Sequence, residues 1–212
     1  MKLGDIKIEA LKLMFANGHE DIGVEQIETM EQTEEYGDYL IAMNGSINRC
    51  FADLESRCIL PVKSFSLPGG EKENKEPLYF DLEEQISDYF SIERLLYEAD
   101  GAVWEEDELE SYLLGNTLLL PWFDGEKEGY RVVYRPKLER LLPYTSNDTE
   151  LAVPEYIAAI IPYWIKSELY RGDEVNEAGE ARNWYEAAIR QAQSVGGRKQ
   201  GRSKSVYSQV WI

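Results

Sequence analysis

Few residues in the chain have the types that carry chemistry. His19 is the single histidine, set in Asn17-Gly18-His19-Glu20. That context reads as a turn after a helix, where an imidazole is solvated rather than poised as a general base. Cys50 and Cys58 are the two cysteines. Eight residues apart on one helical face, they stand about 12 Å from each other at 1.5 Å rise per residue, beyond disulfide reach. No second Cys or His pair completes a zinc site. Two reduced core thiols in a cytoplasmic protein are expected. Carboxylate pairs such as Glu105/Glu106 and Asp107/Glu110 have the residue types of glycoside hydrolysis. With 40 Asp and Glu in 212 residues, however, such pairs arise by chance everywhere, and these lie among turn-like residues. Their expected role is solvation. The Gly-x-x-x-x-Gly-Lys-Ser/Thr, Gly-x-Gly-x-x-Gly and Gly-x-Ser-x-Gly patterns are missing, and the glycine cluster Pro68-Gly69-Gly70-Glu71 reads as a loop. The sequons at Asn44 and Asn147 carry no meaning without secretion. No catalytic, cofactor-binding or metal-binding residue is expected, and the chain does not read as an enzyme.

Charge is more informative. Lys and Arg number 22 against 40 acids, a net of −18. Residues 195–212 hold four of the basic side chains, Arg198, Lys199, Arg202 and Lys204, and no acid. The preceding 194 residues therefore carry 18 basic and 40 acidic groups, a net of −22. Such a body repels nucleic acid. No apolar run approaches the roughly 18 residues that cross a bilayer, and the first residues lack the layout of a signal peptide, so neither membrane nor secretion is expected.

The elements that must position these groups follow from periodicity. Leu3 to Asn17 places Ile6, Ala10, Leu13 and Met14 on one helical face. Asp21 to Gln32 is an acidic connector with a short helix from Val24. Tyr36, Tyr39, Leu40, Met43, Ile47, Cys50, Phe51, Leu54 and Cys58 follow 3–4 spacing, which predicts a long amphipathic helix from Glu34 to Arg57, stopped before Pro61. Gly45 near its middle suggests a close packing contact. From Val62 the period changes. Runs at 78–82, 90–98, 112–114, 117–120 and 130–134 are short, β-branched or aromatic. Asp100-Gly101, Asp124-Gly125 and Gly115-Asn116 are turn signals. Four to six antiparallel strands in a small sandwich or curved sheet are expected. Helix returns at Leu151 to Tyr170, with Tyr156, Ile157, Ile160, Ile161, Trp164, Ile165 and Leu169 on its stripe and a kink at Pro162. A last helix from Val175 to Ser194 aligns Ala178, Ala181, Trp184, Tyr185, Ala188, Ile189 and Ala192.

The predicted class is α+β: a bundle of three to four helices, an inserted antiparallel β-domain and an extended C-terminal arm. The expected divisions are 1–61 for the first bundle helices, 62–150 for the β-rich insertion, 151–194 for the helices that complete the bundle and 195–212 for the arm. The arm opens with Gly196-Gly197-Arg198-Lys199-Gln200-Gly201-Arg202, a flexible cationic spacer. It ends in Val206-Tyr207-Ser208-Gln209-Val210-Trp211-Ile212, which alternates like a strand and carries five large apolar side chains. Exposed to water it is an aggregation hazard. Either it folds back on its own domain as an edge strand or it docks on another subunit by strand addition. The basic spacer suits an acidic partner, a neighbouring copy included.

The run Tyr156-Ile157-Ala158-Ala159-Ile160-Ile161-Pro162-Tyr163-Trp164-Ile165-Lys166-Ser167-Glu168-Leu169-Tyr170-Arg171-Gly172-Asp173-Glu174, followed by Ala181-Arg182-Asn183-Trp184-Tyr185-Glu186, resembles the head-tail connector (adaptor, or head-completion) proteins of tailed bacteriophages. Met43 to Phe51 is similar to the family's first long helix. Phe90 to Tyr97 and Gly129 to Tyr134 are similar to its β-insertion. The likeness covers most of residues 34–194, and the acidic segment Asp21 to Asp38 departs from it. The resemblance implies a structural virion protein made in the host bacterial cytoplasm and placed in the virion neck. It would form a homo-oligomeric ring, commonly of twelve copies, under the portal protein. That ring would extend the DNA channel, which DNA crosses without specific binding, and offer a platform to stopper or tail proteins. In relatives a C-terminal arm enters the portal. By position, Tyr207, Val210, Trp211 and Ile212 would be the portal-binding anchors, with Arg198, Lys199, Arg202 and Lys204 steering them. Two alternatives stand beside this reading: another protein of the phage neck or tail-completion layer, or an acidic DNA mimic that inhibits a nucleic-acid enzyme.

Overall fold

The computed structural model describes residues 1–15, 26–33, 36–67, 77–99, 102–105, 112–120 and 129–199. The chain is an α+β protein. Its described elements run α1 (Leu3–Met14), α2 (Ile27–Met30), α3 (Gly37–Ser56), β1 (Lys63–Leu67), β2 (Leu78–Asp81), α4 (Leu82–Gln85), β3 (Tyr89–Ala99), β4 (Ala102–Glu105), β5 (Leu113–Leu114), β6 (Thr117–Leu120), β7 (Gly129–Pro136), α5 (Glu155–Ala158), α6 (Ile161–Leu169) and α7 (Val175–Lys199). They group into two compact units. One is built from both ends of the chain, Met1–Ile59 and Leu138–Gln200, and the other holds Leu60–Lys137.

In the helical unit α6 is the common neighbour of α1, α3 and α7. Its apolar positions explain why: Ile161, Trp164 and Ile165 are all buried. α3 contributes Leu40, Met43, Ile47, Cys50, Phe51 and Leu54 to the same core, α1 contributes Leu3, Ile6, Ala10, Leu11 and Met14, and α7 contributes Ala178, Ala181, Tyr185 and Ile189. The first turn of α1 finds outside acceptors for donors that a helix start leaves orphaned: Leu3 N–H donates to the Thr149 carbonyl (2.9 Å) and Gly4 N–H to that of Asn147 (2.8 Å). Residues 138–150, read with the β-region from sequence, group with the helices because one polar face of α3 holds them. Asn48 both donates to the Leu141 carbonyl and accepts from its N–H, each at 2.8 Å. Asn44 donates to the Leu142 carbonyl at 2.9 Å. Buried Glu55 accepts from the Leu138 N–H and pairs with Arg140.

The β unit has seven strands among the described residues, more than the four to six expected. They form two antiparallel sheets, ordered β1-β7-β3-β4 and β2-β6-β5. β7 is flanked by β1, with Lys63 opposite Tyr134 and Leu67 opposite Tyr130, and by β3, whose pairing carries two irregularities between Tyr89 and Arg94. One apolar core serves both sheets: Leu67, Leu95, Tyr130, Val132 and Tyr134 come from the first, Leu118 and Leu120 from the second, with Leu82 of α4 between them in sequence. Gly115, at φ +64, takes the first turn position of the β5–β6 hairpin, where two-residue hairpins need a residue free of the Cβ clash. Leu82, expected to end a strand, instead opens α4, because the Asp81 carboxylate caps it by accepting from Glu83 and Glu84 N–H (3.0 and 3.2 Å).

Four further expectations need correction. Pro162 does not kink a continuous helix from 151 to 170. It sits in the first turn of α6, after α5 has ended at Ala158, where its missing N–H removes no helical bond. Cys58 is not a core thiol: it is exposed, since α3 ends two residues earlier. Cys58 takes φ +53 there, its N–H donates to the Glu55 carbonyl and the Ile59 N–H to that of Leu54, the paired bonds of a Schellman cap. Gly45 makes no close contact with another helix: the neighbour a Cβ there would meet is the Arg49 guanidinium of its own helix, at 3.5 Å. The last helix does not stop at Ser194. Its backbone continues through Gly196 and Gly197 to Lys199, because each glycine costs a helix only about 1 kcal/mol and basic residues suit a helix C-terminus.

Candidate functional site

The motif that carries the family resemblance folds into one polar clamp at the heart of the helical unit. On α3, Ser46, Arg49, Cys50, Asp53 and Arg57 recur every three to four residues and so share a face. They meet α6 and α7. Ser46 Oγ donates to Glu168 Oε2 (2.7 Å), and the Arg49 guanidinium pairs with the same carboxylate. Tyr185, fully buried, donates its hydroxyl to Asp53 (2.7 Å). Arg57 lies between two acids: Nη1 and Nη2 bind Glu186 in a fork (2.7 and 2.9 Å) while Nε reaches Asp53 at 2.8 Å. Arg182 pairs with Glu186 from one turn earlier and lays its guanidinium 4.4 Å from the Trp164 ring centre, a cation–π contact. Trp164 and Tyr185 meet edge to face at 5.0 Å. The fork with Arg57 is the main force holding the Glu186 carboxyl below its ordinary pKa, and the same fork raises that of Arg57. Burial, ahead of its charged neighbours, pushes the Tyr185 hydroxyl and the Cys50 thiol well up. Both stay protonated at neutral pH, which suits packing rather than nucleophilic chemistry.

The rest of the α6 motif ties down α1. Lys166 Nζ donates to the Leu13 carbonyl (2.7 Å) and pairs with Glu177 (2.7 Å). The Tyr170 hydroxyl donates to the Met14 carbonyl, and its ring joins Phe15 and Tyr39 in edge-on contacts.

Beside the clamp, α1, α6 and α7 leave an open groove of about 300 Å³ lined by Leu13, Tyr163, Lys166, Glu177, Glu180, Ala181 and Trp184. Trp184 was expected on the buried stripe of α7. It is 65% exposed, because it lies at the stripe's edge: Ala178, Ala181, Tyr185 and Ile189 turn inward and carry it to the rim. Tyr156, also read as a stripe residue, is likewise exposed. The groove has no sequence signature of its own. An aromatic one position off the core-facing set was the available signal.

Of the residues proposed from sequence, Arg198 and Lys199 lie at the C-terminal end of α7. Arg202, Lys204, Tyr207, Val210, Trp211 and Ile212 lie outside the described residues, as do His19, Glu106, Asp107, Glu110, the 68–73 loop and the Asp100-Gly101 and Asp124-Gly125 turns. Asn44, of the first sequon, is buried and spends its amide on the Leu142 carbonyl. Among the described residues no group of three or more His, Cys, Asp or Glu side chains stands where it could hold a metal ion, and no helix is long and apolar enough to cross a membrane. No protein-family model and no curated protein matches the chain.

Proposed function

We propose that the chain is a head-tail connector of a tailed bacteriophage. Its helices form a bundle of three to four members, copies of it form a ring of twelve beneath the portal, and its C-terminal arm, residues 204–212, anchors in the portal. Its work is contact, without chemistry, and its place is the virion neck. The observation that carries this reading is the use made of the family-like motif. Trp164, Lys166, Glu168, Tyr170, Arg182, Tyr185 and Glu186 each spend a polar atom or ring on holding α6 and α7 to one another, to α1 or to α3. Packing contacts of this kind suit a protein whose work is structural. Two sequence facts add support. A body of net −22 would line a channel that repels DNA, and α7 leads directly into the cationic, apolar-ended arm.

The test is sedimentation with purified portal rings. The full chain should co-sediment, and a chain ending at Ser203 should lose most of that binding, since Trp211 and Ile212 would each contribute about 1.5–3 kcal/mol if buried. Undiminished binding by the shortened chain would overturn the arm assignment. Absence of binding by either chain would overturn the connector reading.

A further inference from the structure

We propose that the groove between α1, α6 and α7 receives the C-terminal heptapeptide, Val206–Ile212, of a second copy of this chain. This does not depend on the connector reading.

Three observations carry it. The groove suits a short apolar segment: Leu13, Tyr163, Ala181 and the exposed Trp184 are among its lining residues, with room for one or two large side chains. Its charge is complementary to the segment. Glu177 is neutralised by Lys166 at 2.7 Å, whereas Glu180 has no cation paired with it among the described residues. Glu177 and Glu180 thus give the groove two carboxylates against one lysine, while the heptapeptide is preceded by Arg198, Lys199, Arg202 and Lys204 with no acid from 195 onward. Oppositely charged rims steer such a segment in and fix its register.

Chain length favours a second copy over the same one. Lys199 lies about 22 Å along the axis beyond Trp184 at 1.5 Å per residue. A segment returning to its own groove would spend roughly seven extended residues on that distance, besides those that reverse its direction. Only Val210–Ile212 would arrive, and only at full extension, whereas the arm of another copy can reach the groove unstretched and place one or two of its large side chains there. A contact that joins the tail of one copy to the groove of the next is heterologous, and it yields a ring where the rotation closes. The free chain should therefore associate with itself, and any partner that captures the arm must compete with this groove.

The test uses full-length chains. Sedimentation over a concentration series should show self-association that weakens with added salt and falls about tenfold or more in Trp184→Ala and in Glu180→Lys, with melting temperatures close to that of the parent because both positions face solvent. In a second measurement, a Cys58→Ser/Tyr163→Cys chain is mixed under mild oxidation with a Cys58→Ser/Val210→Cys chain. A mixed disulfide dimer should exceed either homodimer several-fold. Four results would each overturn the proposal: a chain monomeric at every concentration, self-association indifferent to Trp184→Ala, a predominance of Val210→Cys homodimers, or a chain carrying both engineered cysteines that closes on itself without forming dimers.

Discussion

At the scale of single residues, Arg57 is the pivot of the molecule's polar interior. It satisfies two carboxylates from different helices, Asp53 and Glu186, in the forked geometry that arginine supplies and lysine does not. Because Glu186 is held below its ordinary pKa chiefly by that fork, its contribution is full above the unfolded carboxylate value, about 4.3. It is lost as pH falls through the depressed folded value. Glu186→Gln should lower stability at pH 7 by about 1–2 kcal/mol, the worth of charge-assisted hydrogen bonds. The melting-temperature gap between variant and parent should close toward pH 3. A gap of the same size at pH 7 and pH 3, read by thermal unfolding, would contradict the role given to this pair. The apolar half of this interior was readable from sequence, because Tyr185 and Trp164 fall on helical stripes. The polar half was not: periodicity says which way a side chain points and nothing about which carboxylate it meets across 130 residues. Cys58 was misread for a related reason. Its spacing continues the α3 stripe one turn past Leu54, two residues after the helix has ended, and the left-handed cap that ends α3 is formed there by cysteine rather than by the glycine or asparagine that would have announced it.

At the scale of elements, the central placement of α6 is what the fold depends on. Three helices pack on it, and its start is set by Pro162 in the first turn. This gives a clean discrimination. Were Pro162 a kink in one long helix, Pro162→Ala would restore a bond and relieve a clash worth about 3 kcal/mol. With the proline in the first turn, Pro162→Ala should bring no stabilisation in urea, and loss of its buried ring should cost about 1–2 kcal/mol. A large stabilisation would mean that α5 and α6 are interrupted by the proline itself. The helices that carry a stripe of their own, α1, α3, α6 and α7, were legible, whereas α4, read as the end of a strand, and the break between α5 and α6 were not. Strand number was not. β1 carries exposed Lys63, Ser64 and Ser66, and β4 is four residues long. Neither offers the apolar alternation that identified β3, β6 and β7.

At the scale of the whole molecule, charge is segregated along the sequence: a body of net −22 and a terminal segment with four basic groups and no acid. In the proposed ring, the bodies repel DNA and one another, so cohesion must come from contacts that neutralise or bury. The arm is the segment whose composition does both. The sequence displayed the arm's character plainly, but the groove that would receive it arises only when α1, α6 and α7 come together, and no local pattern announces it. The most direct test of the connector reading is electron microscopy of the purified chain with and without portal rings. The account predicts a second layer of density on one face of the portal, carrying the portal's rotational symmetry and appearing only when both proteins are present. Portal rings that remain bare at concentrations where the chain is in molar excess would contradict it.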